Sequence, residues 1–250
     1  MFRLYGYSTS PFVRKVGCCL YYKKLPFKFV PVNPIDPKKI AFTHQSTVPV
    51  LELDGEWRLD STAIALWLDE LSPERPLFGK NREEQRQILQ MDSWVTNHLI
   101  LKEFRYFFEA ELTAKYRATA WRLASIVSSQ TPLSCEVHES WPDLLKMTSF
   151  IQHMMLNVNQ SESLREMQHR VAVELIEHLN CGPFFGGLER PSLVDVTIYP
   201  IVVFSHMVGI DDKSPAERSP SLGSWIERMR GELPANPILV EDFMIVHPSS

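Results

Sequence analysis

The dipeptide Asp54-Gly55 constrains this chain most. It is bracketed by Val48-Pro-Val-Leu-Glu-Leu53 on one side and Glu56-Trp-Arg-Leu59 on the other. A two-residue turn with positive φ at both positions favours such a pair, so a β-hairpin is predicted with strands near 49–53 and 56–59. A proline opening the first strand is tolerated at an edge, a strand start or a bulge. Directly after the hairpin, Asp60-Ser61 precedes the apolar run Ala63, Ile64, Leu66, Trp67 and Leu68. A short oxygen side chain in that place reads as a helix N-cap, and a helix start leaves N–H groups free to hold a carboxylate. Upstream, residues 2–5 read as a strand, 11–24 as a helix with Val13, Val16 and Leu20 on one stripe, and 27–32 as a second strand. That order gives a parallel pair, and Pro31 places the second strand at a sheet edge. Gly17 costs its helix about 1 kcal/mol relative to alanine, which suggests a close approach to the sheet. A short helical stretch at 38–42 and a helix at 61–71 complete a small α/β unit.

With 250 residues, 44% hydrophobic and 22% charged, the chain is long enough for one or two cores without staples. A net charge of −4 gives no reason to expect a nucleic-acid or anionic-membrane surface. Cys18, Cys19, Cys135 and Cys181 form neither a C-x-x-C pair nor a zinc spacing, so no metal is expected and a reducing compartment suits them. The apolar stretch 194–203 contains Asp195 and Pro200 and is too short to span a bilayer. The chain opens on a strand pattern instead of a basic, apolar leader, and a cytoplasmic protein is expected. Two prolines and a glycine mark a linker at 71–79. The expected division is an α/β domain at 1–72, a linker at 73–82 and an all-helical domain at 83–250. Within the last, helical periodicity covers 83–111, 114–128, 144–158, 163–179, 194–208 and 221–230, and 130–143 reads as irregular. Ser192-Leu-Val-Asp195 has the spacing of a capping box.

Taken together, Val48-Pro49-Val50-Leu51, Asp54-Gly55 and Asp60-Ser61 followed by a helix resemble the glutathione-binding half of the glutathione transferases, a branch of the thioredoxin-like folds. Gly182-Pro-Phe-Phe-Gly-Gly187 with Ser192–Asp195 is similar to the loop and capping motif that open a core helix in that family's C-terminal domain. Val194 stands where the family usually has alanine. The likeness is strong around 8–71 and 182–208 and weak between 110 and 165. It implies an α/β thioredoxin-like N-terminal domain plus an all-α C-terminal domain. It also implies that Val48 offers its backbone to the cysteinyl amide of glutathione, that Pro49 is cis, that Ser61 and the helix start take the γ-glutamyl carboxylate, and that Asp60 lines the same tripeptide site. Phe12 joins them in the glutathione site.

Ser10-Pro11-Phe12 falls between the first strand and first helix, where this family places the serine, tyrosine or cysteine that acts on sulfur. The S-P-F-x-x-(K/R)-V pattern from Ser10 to Val16 is most similar to the serine- and cysteine-using classes of tau and omega type. A thiol with an unperturbed pKa of about 8.5 is little ionised at neutral pH. A hydroxyl donor and the positive end of a helix would stabilise its anion. Ser-Pro is also an ordinary N-cap and N1 pair. The two roles are compatible, since a hydroxyl both accepts and donates. Tyr7, Ser8 and Thr9 are alternatives for the sulfur contact. Cys18 and Cys19 lie too far along the helix to replace a nucleophile and read as structural. Asp60 has capping as its plain role and the γ-glutamyl ammonium as its functional one. Lys38 and Lys39 are either solvated or near the glycyl carboxylate. The resemblance implies a second substrate against the first helices of the C-terminal domain. Trp94, Phe104, Phe107, Phe108, Tyr116 and Trp121 supply aromatic surface there, most of it core, with His98 and Arg105 as polar candidates. The expected function is glutathione transfer to a small hydrophobic electrophile, a detoxification chemistry, with glutathione as co-substrate and the protein a homodimer. The alternatives are a non-catalytic dimerisation or interaction module, or a glutathione-dependent isomerase, dehalogenase or peroxidase.

Overall fold

The computed structural model describes residues 1–179 and 182–244; the expectation for Cys181 lies outside them. The first part contains β1 (Phe2–Gly6), α1 (Pro11–Tyr22), β2 (Phe27–Pro31), a 3-10 turn at Lys38–Thr43, β3 (Val50–Leu53), β4 (Glu56–Leu59) and α2 (Ser61–Leu71). The sheet order is β2-β1-β3-β4. β1 and β2 run parallel, and β3 is antiparallel to both β1 and β4. Asp54 and Gly55 turn the hairpin with φ of 52° and 89°, the positive pair that their side chains tolerate. Pro31 closes the edge strand β2, as its missing N–H requires. The strand expected to open at Pro49 instead begins at Val50. Pro49 follows a cis peptide bond from Val48 and stands just outside the ladder, where it withholds no hydrogen bond.

The second part is helical. The single helix expected over 83–111 is α3 (Arg82–Trp94), a π-helical turn at Val95–Ile100 and α4 (Leu101–Glu109) in succession. α5 (Ala114–Gln130) follows. The stretch 130–143 is not irregular: it holds α6 (Cys135–Glu139) and the start of α7 (Trp141–Met147). The Ser134 hydroxyl caps α6 by accepting from Val137 N at 3.2 Å. Pro142 lies in the first turn of α7, where a missing N–H costs nothing. The helix expected over 144–158 breaks at Thr148, whose backbone is extended (ψ 119°), and resumes as α8 (Ser149–Met155). Then come α9 (Leu164–Leu179), a 3-10 turn at Phe185–Gly187, α10 (Leu193–Val208), α11 (Pro215–Arg218), α12 (Pro220–Glu232) and a 3-10 turn at Asp242–Met244. No helix among the described residues is long and apolar enough to cross a membrane.

α1 is the shared wall between the parts. Val13, Val16, Cys18, Cys19 and Leu20 are fully buried in the same core as Val194, Ile198 and Val202 of α10. The close approach expected at Gly17 is to the C-terminal segment and not to the sheet: an added Cβ would lie 2.8 Å from Leu239 Cδ1. The connecting stretch after α2 is pinned. Both carboxylate oxygens of Asp69 accept from Leu77 N, and Oδ2 also accepts from Phe78 N, each at 3.0 Å; Leu77 and Phe78 are buried. The capping box at the start of α10 is formed by both partners. Its Asp195 also accepts from Phe185 N at 3.1 Å and from Trp225 Nε1 at 2.9 Å, so one buried carboxylate ties α10 to α12 and the 182–188 loop.

A second buried carboxylate joins the two parts directly. Asp92 of α3 accepts from Lys15 Nζ at 2.7 and 2.8 Å, and from the hydroxyls of Thr62 (2.8 Å) and Thr197 (3.2 Å). Lys15 also donates to Thr62 Oγ1 at 2.9 Å. An ion pair out of water needs this many further partners to offset its desolvation.

Candidate functional site

The ladder register decides where the site candidates fall. Tyr5 of β1 stands opposite Val50 of β3, and Val50 stands opposite Leu59 of β4. Beyond that row, the segments 7–10, 48–49 and 60–61 leave the sheet at one end. α1 and α2 both begin there, so the positive ends of two helices open on the same edge.

Each start is built differently. Asp60 caps α2, its Oδ1 accepting from Thr62 N at 3.0 Å and Ala63 N at 2.9 Å. It does so with φ 65° and ψ 122°, a conformation that only glycine adopts freely. Non-glycine residues held in that region cluster at ligand sites. Ser61 follows as the first helical residue and is buried; Val48 is half-buried. Ser10 caps α1: its Oγ accepts from Val13 N at a long 3.4 Å, and Ser10 is 6% exposed. The hydroxyl hydrogen remains available to an acceptor in the site. Phe12, in the first turn of α1, is half-buried and packs edge-to-face on Phe150 of α8 with ring centroids 6.4 Å apart. Phe150 in turn meets Phe104 of α4 at 5.4 Å.

Of the alternatives to Ser10, Ser8 is engaged elsewhere. The Ser8 hydroxyl is fully buried and donates to Gln130 Oε1 at 3.0 Å. Burial pushes the Tyr7 phenol above its ordinary pKa, away from ionisation. Of the lysines, Lys38 pairs with Asp36 at 2.8 Å and Lys39 donates to the Pro31 carbonyl at 2.7 Å. Burial pushes the Cys18 thiol well up and that of Cys19 up to about 12, which suits inert core residues.

Phe104 touches the aromatic chain that leads to Phe12; the other aromatic candidates go elsewhere. Phe107 and Tyr116 lie in a separate core of the helical part, and Trp121 donates to the Glu139 carbonyl at 3.3 Å. Trp94 lines a cavity of about 360 Å³ between α3, α9 and the 185–188 turn, and His178 crosses its ring at 4.7 Å. A second cavity, of about 440 Å³, lies around Leu66, Phe78 and Arg82. Neither borders Ser10. Arg105 is buried and donates to Glu109 at 2.8 Å, and His98 stands beside Arg170. Among the described residues no cluster of His, Cys, Asp and Glu could hold a metal ion.

Sequence reasoning missed Phe150, Gln130 and Arg14. Phe150 lies in the stretch 110–165, where the likeness to the glutathione transferases is weak, and a lone glutamine at a helix end carries no signal. Arg14 did leave one: a cation near a helix N-terminus opposes the helix dipole.

Comparison with known proteins agrees with this geometry. Residues 4–76 match the family model described as "Glutathione S-transferase, N-terminal domain". Prostaglandin E synthase 2 of Danio rerio is 35% identical over 63 residues, which are 25% of this chain and 17% of that protein. Glutathione S-transferase Z2 of Arabidopsis thaliana is 32% identical over 143 residues, 52% of this chain and 62% of the relative. The chain therefore spans only part of the length of these relatives. Among solved structures, a glutathione transferase homolog from Sulfitobacter, with bound glutathione, superposes with a TM-score of 0.58 at 14% identity, covering 92% of each chain. Residues 4–76 thus match the N-terminal domain of the glutathione S-transferases, and the chain as a whole shares their architecture, thioredoxin-like followed by all-α.

Proposed function

We propose that this chain binds reduced glutathione at the shared end of β1, β3 and β4 and activates its thiol for attack on a small apolar electrophile. The observation that carries the reading is the convergence of two helix N-termini, at Ser10 and Ser61, on the Val48-Pro49 turn. In this reading Val48 pairs its backbone with the cysteinyl amide, as a strand edge does. The γ-glutamyl carboxylate sits on the N–H and hydroxyl of Ser61 at the start of α2, with Asp60 lining the same end of the site. Phe12 flanks the peptide. The Ser10 hydroxyl donates to the sulfur, and the positive end of α1 favours the anion. The thiol proton leaves to solvent. A sulfur lone pair then forms the bond to the electrophilic carbon while the leaving group departs with its bonding pair. The electrophile lies against Phe104 and Phe150, so residues 1–72 hold the peptide and residues 83–250, beyond the 73–82 linker, hold the second substrate. The same reading makes the protein a cytoplasmic homodimer, which sedimentation equilibrium would reveal.

Ser10→Ala is the direct test. Loss of one donor to a developing anion lowers turnover roughly a hundredfold, and glutathione binding measured by calorimetry stays near that of the wild type. Undiminished turnover would move the role to another residue of the 7–10 turn.

A second reading, a glutathione-binding module without turnover, draws on Ser10 serving as the N-cap of α1. Retention on immobilised glutathione with no activity against electrophiles, hydroperoxides or isomerisable substrates would favour it.

A further inference from the structure

Arg14 is out of place by the rules that stabilise helices and cores. It lies in the opening turn of α1, where the helix dipole repels a cation, and no acidic residue stands in that turn. It is 1% exposed, and its Nε has no hydrogen-bond partner. Its neighbour Lys15 is equally buried but is neutralised by Asp92 at 2.7 Å. The acid that acts on Arg14, Glu103 of α4, accepts a hydrogen bond from Ser205 instead. Where a sequence breaks local rules at a buried position, a functional constraint is the usual reason.

What Arg14 does hold is the turn that carries Ser10. Its guanidinium stacks 3.6 Å over the Phe204 ring of α10, and Nη1 donates to the Ser8 carbonyl at 2.7 Å. The Ser8 side chain is gripped from the other domain by Gln130, whose Nε2 donates to the Leu239 carbonyl at 2.6 Å. The residue two places before Ser10 is thus fixed on both sides, its main chain by Arg14 and its hydroxyl by Gln130.

We infer that Arg14 is a positioning residue for the sulfur-activating turn: it fixes the Ser8 carbonyl, aims the Ser10 hydroxyl at the thiol and places a buried positive charge behind it. This rests on the glutathione-activating reading above. The titratable groups that act on Arg14 are Glu103 from α4 and Cys18 from α1; α10 and α5 present the uncharged Phe204, Ser205 and Gln130. Burial lowers the Arg14 pKa to about 10 and raises those of Glu103 and Cys18, so the guanidinium keeps its charge through neutral pH.

The test uses the full chain with Arg14→Met and Arg14→Lys, following thiolate ultraviolet absorbance of bound glutathione against pH, with calorimetric affinity and thermal midpoint measured alongside. Arg14→Met is expected to raise the bound thiol's pKa by about one unit, a tenfold loss of thiolate at neutral pH, while glutathione affinity changes much less. Arg14→Lys is expected to restore part of the shift, because it keeps the charge and loses the planar fork. If Arg14→Met does not fold, Gln130→Ala releases the same turn from its other side and moves the pKa in the same direction. A folded variant whose bound thiol titrates like the wild type overturns the inference. A wild-type protein that binds glutathione without lowering its thiol pKa, or does not bind it, overturns the activation reading itself, and the inference with it.

Discussion

Asp195 sets two effects against each other at a single carboxylate. Hydrogen bonds from Ser192, Phe185 and Trp225 favour the anion, yet complete burial outweighs them and pushes its pKa up to about 6. Its ordinary value is 3.8, so between about pH 4 and 6 the folded state holds a proton that the unfolded chain has released. Its contribution to stability is greatest below that window and falls as pH rises through it, by about 3 kcal/mol in all. Denaturant melts at steps across the window should show that slope in the wild type and lose it in Asp195→Asn; an unchanged slope would assign it to other groups. The cysteines make a second residue-scale test. Cys135 is exposed and Cys18 and Cys19 are buried. Brief alkylation of native protein, mapped by mass spectrometry, should label Cys135 and spare the other two until the chain unfolds. Early labelling of Cys18 or Cys19 would mean that α1 opens readily.

At the scale of elements, α2 joins a cap to a strained backbone. Asp60→Ala removes two hydrogen bonds at the helix start and leaves a Cβ at φ 65°. A cost of about 1 kcal/mol is expected from the cap alone, and Asp60→Gly should cost less because glycine relieves the strain. Thermal melts in which glycine is the worse of the two would contradict this. The hairpin and α2 were legible because their signals are local: a turn pair, a cap and an apolar run within residues 48–68. Residues 130–158 were less so: 130–143 reads as irregular although Pro142 stands in the first turn of a helix, and the break at Thr148 has no residue that announces it. The candidate site residues come from the same kind of local signal, whereas Phe150 meets Phe12 only through tertiary packing.

Across the whole molecule, the two parts are joined through α1 and through the buried Lys15–Asp92 pair with its two threonines. Charges in a helix read as solvent-facing, and Asp92 lies too far along the chain for any sequence pattern to pair it with Lys15. Asp92→Ala leaves a buried ammonium uncompensated and should destabilise the protein by about 3–5 kcal/mol. Replacing both partners, Lys15→Met with Asp92→Leu, should recover most of that loss in denaturant melts. A mild effect of the single change would mean that water reaches the pair. This joint also places Thr62, next to Ser61, on the domain boundary, so the peptide end of the site and the helical part are expected to move as one body. A crystal structure with reduced glutathione tests the site most directly. The expected result is the γ-glutamyl carboxylate at the start of α2, the cysteinyl amide on the Val48 backbone and the sulfur within hydrogen-bond reach of Ser10. Glutathione bound elsewhere, or a sulfur turned away from the first turn of α1, would contradict it.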